Sequence, residues 1–151
     1  MAELTITNEY TQFSIDTSAV NKLVTQIIEM LSLKVATLSI VFVENQQIQQ
    51  LHQQFFNDNS PTDIITFPLN NPGEPIEADL VISLEMAQEN AKYYGVSVEE
   101  EIKRLIIHGL LHLAGWKDES PDQQRAMRKK EDDLLKHVAD IKLMIEKMGA
   151  S

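Results

Sequence analysis

No cysteine occurs among the 151 residues, so disulfides and thiolate metal sites are excluded and a reducing compartment is the natural expectation. No apolar run approaches the roughly 20 residues needed to span a bilayer. The opening stretch MAELTITNEY has neither a basic n-region nor an apolar core, so no secretory signal is legible in it. The expectation is a soluble cytoplasmic protein with no membrane among its partners. At 43% hydrophobic and 24% charged, a chain of this length fits one globular domain with a proper core, spanning residues 1–151.

Basic residues are scarce as well. Thirteen Lys and Arg stand against 23 Asp and Glu, a formal charge of −10, which opposes broad, nonspecific affinity for nucleic acid. The shortage is uneven. Only Lys22, Lys34 and Lys92 precede residue 100, against 14 acids, which leaves the first hundred residues at −11. The remainder carries ten bases against nine acids and sits at +1, so a weakly basic surface near the C-terminal helices is allowed.

What is present reads as a mixture of strands and helices without strict alternation or internal repeat, an α+β arrangement. LTITNEYTQFSID alternates loosely, as one or two short strands. TSAVNKLVTQIIEMLSLK opens with capping candidates and spaces Val20, Leu23, Val24, Ile27, Ile28 and Leu31 for a helix. ATLSIVFVE is β-branched and apolar, suited to a central strand. NQQIQQLHQQFF, with Asn45 as its cap, predicts a short helix. TDIITFP predicts a strand that Pro68 stops or confines to an edge. LNNPGEPIEA reads as a loop and DLVIS as a strand. Ser83 then caps LEMAQENAKYY, which Gly95 ends. Ser97 with Glu100 makes a capping box for a helix running to about Gly115, and Ser120, Pro121 and Gln123 make another for a long final helix to about residue 148.

The chemistry concentrates in HGLLHLAGWKD, residues 108–118. Residues four apart on a helix share a side, about 6 Å apart along the axis, close enough for two imidazoles to meet one cation. His108 and His112 fall together on one flank with Glu101, and Arg104 lies beside it, while the other sides are apolar. Gly115 accepts positive φ and can turn the chain so that Asp118 swings back toward the rings. Two imidazoles, one carboxylate and an open fourth position make a catalytic zinc shell, and H-x3-H-x2-G-x2-D resembles the extended metzincin motif. A bare H-x3-H is weak, because buried histidines often simply hydrogen-bond a neighbour, and Asp118 alone reads as a turn acid. The glycine between them tips the balance to metal. Gly109 stands where zinc peptidases of the H-E-x-x-H type carry their general base, so the peptidase mechanism lacks its proton acceptor.

The same stretch resembles the metal-site pattern H-G-x-L-H-L-x-G-[YWF]-x-H of the YbeY family of metal-dependent endoribonucleases, the ribosomal RNA maturation factors. His108, Gly109, Leu111, His112, Leu113, Gly115 and Trp116 carry the match. PTDIITFP, at 61–68, is similar to that family's PTDVLSFP, and ADLVIS, at 78–83, to its GDIVIS followed by a helix. Order and spacing agree, and the resemblance covers essentially the whole chain. It implies a zincin-like α+β fold, one divalent metal (usually zinc), cleavage of single-stranded RNA, and a role in small-subunit ribosomal RNA 3′-end processing and ribosome quality control. The small ribosomal subunit or its processing factors are then the implied partners.

Three departures bear on that reading. Asp118 stands where the family usually has a third histidine, and a carboxylate admits harder ions such as manganese or magnesium. Phe56 stands where an arginine is usual, which removes a cation from the RNA grip. Ala78 replaces a glycine. Asp63 and Asp79, each beside a matched strand, are candidates for orienting water or ligands, with turn acids at strand starts as the alternative. Arg104 and Lys103, then Arg125, Arg128, Lys129 and Lys130, offer charge for backbone phosphates, although a solvated helix face accounts better for the last four. Trp116 is placed either to stack a base or to pack in the core, and His52 and His137 read as solvated surface. Two other functions share these features: a zincin peptidase or amidase, and a non-catalytic ribosome-associated binding protein.

Overall fold

Apolar residues at period two and at helical spacing build one sheet with helices on both faces. The computed structural model of the protein describes residues 2–58, 60 and 62–148; Pro61, which opens PTDIITFP, lies outside them. A four-stranded sheet has the order β1-β3-β5-β4, formed by β1 (Glu3–Asn8), β3 (Val35–Val43), β5 (Ile76–Ser83) and β4 (Ile64–Pro68). The first three run parallel and β4 is antiparallel, so β3 is central as its β-branched sequence predicts and β4 is the edge that tolerates Pro68. A second, two-stranded ladder joins β2 (Phe13–Ser14) to β6 (Glu146–Lys147).

Parallel neighbours need a crossover. α1 (Thr17–Met30) makes the first, burying Val20, Leu23, Val24 and Ile27, and α2 (Asn45–Phe56) lies on the way from β3 to β4 and β5. Alternation along β3 and β5 sends Leu38, Ile40, Phe42, Ala78, Leu80 and Ile82 into the main core, where α1 and α4 (Val98–Leu113) pack. The opposite face carries a smaller cluster of Val43, Ile48, Ile65 and Val81 beneath α2. α4 is the central helix, touching α1, α3 (Leu84–Tyr94), α5 (Pro121–His137), β4 and β5.

Several boundaries differ from the sequence reading. α5 stops at His137, not near residue 148, because burial beyond it changes period. Ile141 and Leu143 are buried while Lys142 and Met144 are exposed, a period-two burial that a continued helix would not give. Leu143 is held there by its N–H to Glu99 Oε1 and by its carbonyl, which accepts from Asp16 N. β5 begins at Ile76, three residues before DLVIS, since Ile76 and Ala78 already alternate into the core. Asp16, not Thr17 or Ser18, caps α1, its Oδ1 accepting from Ala19 N at 3.1 Å. Asn45 does not cap α2. Glu44 holds that position, and the Asn45 side chain instead accepts from Ser83 Oγ.

Candidate metal centre

α4 is secured at both ends. Ser97 Oγ accepts from Glu100 N at 3.0 Å, and three glutamates occupy a first turn where the helix dipole favours negative charge. At the other end Gly115 adopts φ +98°, with its N–H on His112 O and the Trp116 N–H on Leu111 O, both at 3.0 Å. That pair of bonds is the Schellman stop, and it requires a residue free to take positive φ. Between these ends nearly every side of α4 is buried, except that Arg104, His108 and His112 form a half-buried stripe at four-residue steps.

The turn after Gly115 does what its position predicts. Asp118 Oδ2 lies 3.5 Å from His108 Nε2 and 3.4 Å from His112 Nε2, and the two Nε2 atoms are 3.0 Å apart. A tetrahedral zinc with bonds of about 2.0–2.1 Å sets its ligand atoms roughly 3.3–3.4 Å from one another. The triangle therefore has the size, and the three side chains the chemistry, to hold one such ion. The bend is braced from α5. Gln124 Nε2 donates to the Asp118 carbonyl at 3.0 Å, and Gln123 Oε1 accepts from the Glu119 and Ser120 amides at 3.0 and 3.1 Å.

Sequence reasoning missed Glu131. This α5 residue is only 4% exposed, and its Oε2 accepts from His108 Nδ1 at 2.6 Å while its Oε1 accepts from Arg104 Nη1 at 3.0 Å. A carboxylate on Nδ1 places the imidazole proton there and leaves the Nε2 lone pair for a metal. Burial works against charging His108, but the Glu131 hydrogen bond and the charges of Glu131, Asp118 and Asp63 outweigh it, so its pKa is raised. The surroundings thus favour a cation at the ring, proton or metal. One signal existed: Met127, Glu131 and Leu134 are the buried stripe of α5, an acid where spacing demands an apolar residue.

The histidines lie in a cleft of about 570 Å³ lined also by His52, Phe56, Asp63, Ile64, Thr66 and Leu113. Asp63 and His108 additionally border a second cavity of about 290 Å³ that holds Glu101, Arg104, Arg128 and Glu131. Asp63 is thus at the site, its Oδ2 accepting from Asn90 Nδ2 at 3.0 Å. Asp79 is not. Leu80 presents its side chain to Gly109 of α4, so its neighbour Asp79 falls on the opposite face of the sheet with Val81, and the expected role in orienting water or ligands there is not met.

The expected cations on α4 are already engaged. Arg104 bonds Glu131 and Asp132, and Lys103 is 4% exposed with its Nζ on the Val138 carbonyl at 2.9 Å, fastening the end of α5. Neither is presented to phosphate. On α5, Arg125 pairs with Asp122, Arg128 lies over the Tyr94 ring, and Lys129 is exposed. Trp116 packs against the core. His52 is not solvated surface: its side chain is 17% exposed, its ring borders the cleft, and Nδ1 is 3.1 Å from the Ser60 carbonyl. His137 is exposed as expected.

Gly109 has a physical reason to be glycine. A Cβ there would sit 3.1 Å from both Ile64 Cδ1 and Leu80 Cδ2, so α4 rests directly on β4 and β5 at this point. The glutamate of a zinc peptidase would fit only if the Ile64 and Leu80 side-chain ends gave way.

Glu101 gives a test of local electrostatics. Burial, then the nearby charge of Asp63, raises its pKa above the ordinary 4.5. A carboxyl whose pKa is raised on folding stabilises the protein below its unfolded value and loses that contribution as pH climbs through the folded one. Glu101→Gln therefore raises the melting midpoint at pH 7, and the gap to the parent closes as pH falls toward 4.5. A gap that is the same at both pH values would show that the Glu101 charge carries no cost.

A helix-borne histidine pair, a carboxylate returned by a glycine turn and an open cleft are the donor set of metal-dependent hydrolases. Comparison with known proteins narrows the class. The profile of the Endoribonuclease YbeY family matches residues 5–139, and the chain belongs to that family. It is 39% identical to the endoribonuclease YbeY of Flavobacterium psychrophilum over 66% of this chain and 70% of that one. It is 35% identical to that of Carboxydothermus hydrogenoformans, over 86% and 93% of the two chains. The solution structure of TM1509 from Thermotoga maritima shares the fold with a TM-score of 0.60 over 89% of this chain and 90% of that one, at 23% identity.

Proposed function

We propose that this chain is a divalent-metal-dependent endoribonuclease acting on single-stranded RNA, with His108, His112 and Asp118 as its metal ligands. One observation carries the reading: three donor atoms lie within 4.8 Å of one another, two of them on histidines that line a cleft, in a chain whose family is named for endoribonuclease activity. Zinc suits two imidazoles and a carboxylate with an open fourth position, and the carboxylate also admits manganese or magnesium. When bound, such an ion supplies Lewis-acid polarisation of a phosphoryl oxygen and lowers the pKa of a water.

The chain's own residues do the rest. Glu131 fixes the His108 tautomer, and Arg104 acts through Glu131 as a positioning residue. Asp63, where the cleft meets the second cavity, orients the attacking water or takes its proton. Arg128 and Lys129 draw backbone phosphates toward the α5 side. Likeness to the family supports a finer assignment: the substrate is ribosomal RNA, at the 3′ end of the small-subunit species. On this reading residues 1–151 act as one domain in the cytoplasm, in ribosome maturation and quality control, beside the small subunit or its processing factors.

A single-stranded RNA should be cut by the purified protein, spared after chelation, and cut again when zinc or manganese is restored, while a peptide library stays intact. Cleavage indifferent to chelation, or peptides cut in place of RNA, overturns the proposal. No cleavage under any metal leaves the binding-protein alternative. Cells depleted of the protein should accumulate small-subunit RNA with unprocessed 3′ ends.

A further inference from the structure

Together with the histidines, the cleft wall carries the ring of Phe56, part of an aromatic group that is only partly buried. Phe55 and Phe56, at the end of α2, are 59% and 52% exposed. They gather on Phe67 of β4. Phe56 stacks on it with centroids 5.9 Å apart and planes 29° apart, and Phe55 meets it edge-on at 5.3 Å. The His52 ring flanks Phe56 at 5.5 Å. Three phenylalanines with two of them half bare are costly to leave in water, and such patches mark binding surfaces. Of this group, Phe56 and His52 line the same cleft as His108 and His112, while Phe55 and Phe67 back them from outside it.

The cleft also lacks something. No lysine or arginine lines it among the described residues, although it borders the site where an RNA backbone has to lie. A chain of net charge −10 cannot rely on its overall field either. The grip inside the cleft must come from a force other than ion pairing. Base-on-aromatic stacking is that force, since every nucleobase offers a π-face and only an unpaired one offers it to a protein ring.

We infer that Phe56, supported by Phe67 and His52, is a stacking platform for one unpaired nucleobase of the RNA whose phosphodiester is presented to His108, His112 and Asp118. The inference rests on the nuclease reading and extends it. It makes Phe56 a specificity-determining residue and supplies a physical basis for a single-strand requirement, since stacking between neighbouring base pairs in a duplex covers the face that Phe56 takes up.

The test compares wild type, Phe56→Ala, Phe56→Leu and Phe56→Trp on a short single-stranded RNA and on the same strand annealed to its complement. Wild type should cut the single strand and spare the duplex. Phe56→Ala should raise KM by about tenfold or more, with a smaller change in kcat. Phe56→Leu, which keeps an apolar surface but has no ring, should not rescue it, and Phe56→Trp should. The rise in KM should be the same at low and high salt, because a stack releases no counterions. A strand carrying 5-iodouridine should photo-crosslink to Phe56, and the crosslink should vanish in Phe56→Leu.

If wild type cuts RNA but Phe56→Leu behaves like wild type, or if the Phe56→Ala defect fades with added salt, the platform is wrong and the nuclease survives. If wild type cuts no RNA, or cuts peptides instead, both ideas fail together. Phe56 is exposed, so unchanged melting curves should separate any loss from misfolding.

Discussion

His108→Ala and His112→Ala should each abolish stoichiometric binding of a divalent ion while leaving the chain folded. Wild type should carry about one equivalent by elemental mass spectrometry, and each variant should bind at least a hundredfold more weakly by calorimetric titration. Loss of residues that merely support a ligand already costs roughly 10–100-fold, and these variants remove the ligand itself. The fold should tolerate both changes because the rings are cleft-side groups, with side chains 28% and 32% exposed, whereas Ile106 and Ile107 beside them are fully buried. RNA cleavage should fall with the metal. Full metal retention in both variants would refute the ligand assignment, however the activity behaved.

Glu131→Ala should do nearly as much damage by a different route. The residue touches no substrate, yet one carboxylate oxygen holds His108 Nδ1 and the other holds Arg104. Its removal leaves the Arg104 guanidinium, 14% exposed, with Asp132 as its one ion-pair partner among the described residues. Breaking a buried ion pair from one side costs about 3–5 kcal/mol, because an uncompensated charge stays behind. The His108 ring loses the acceptor that sets its tautomer, so metal affinity should drop by about 10–100-fold as well. Glu131→Gln keeps the shape but not the charge and should fall between the two in both measurements. Denaturant unfolding and metal titration on the same preparations separate the effects. A Glu131→Ala protein that binds metal as tightly as wild type would show the contact to be structural only.

These two predictions sit on opposite sides of what could be read directly. His108 and His112 were legible because helical spacing is a local property: once α4 forms, residues four apart must share a side. Gly115 was legible for a similar reason, since a helix that ends in a Schellman turn needs a residue able to take positive φ. α2 and α3 match the segments that their spacing predicts. Glu131 was not legible as a partner, because its meeting with His108 depends on how α5 lies across α4, 23 residues away in sequence. The same holds for Arg104 and Lys103, cations that look available on a helix and are consumed by packing against α5. Asp79 and His52 were misplaced in opposite directions. A one-residue step on β5 carries Asp79 to the far face, and the approach of α2 to β4 draws His52 out of solvent into the cleft wall.

The amino-acid order alone therefore determined the histidine pair on one side of α4, the turn that brings Asp118 back to it, the α+β class and the absence of a glutamate at the peptidase-base position. All of these follow from neighbours within about one helical turn or strand period. Only the tertiary structure decided which carboxylates face the histidines, which cations remain free and where the bare aromatic rings gather. Those outcomes depend on which face of each element meets another, and it is the burial of the common core that sets this.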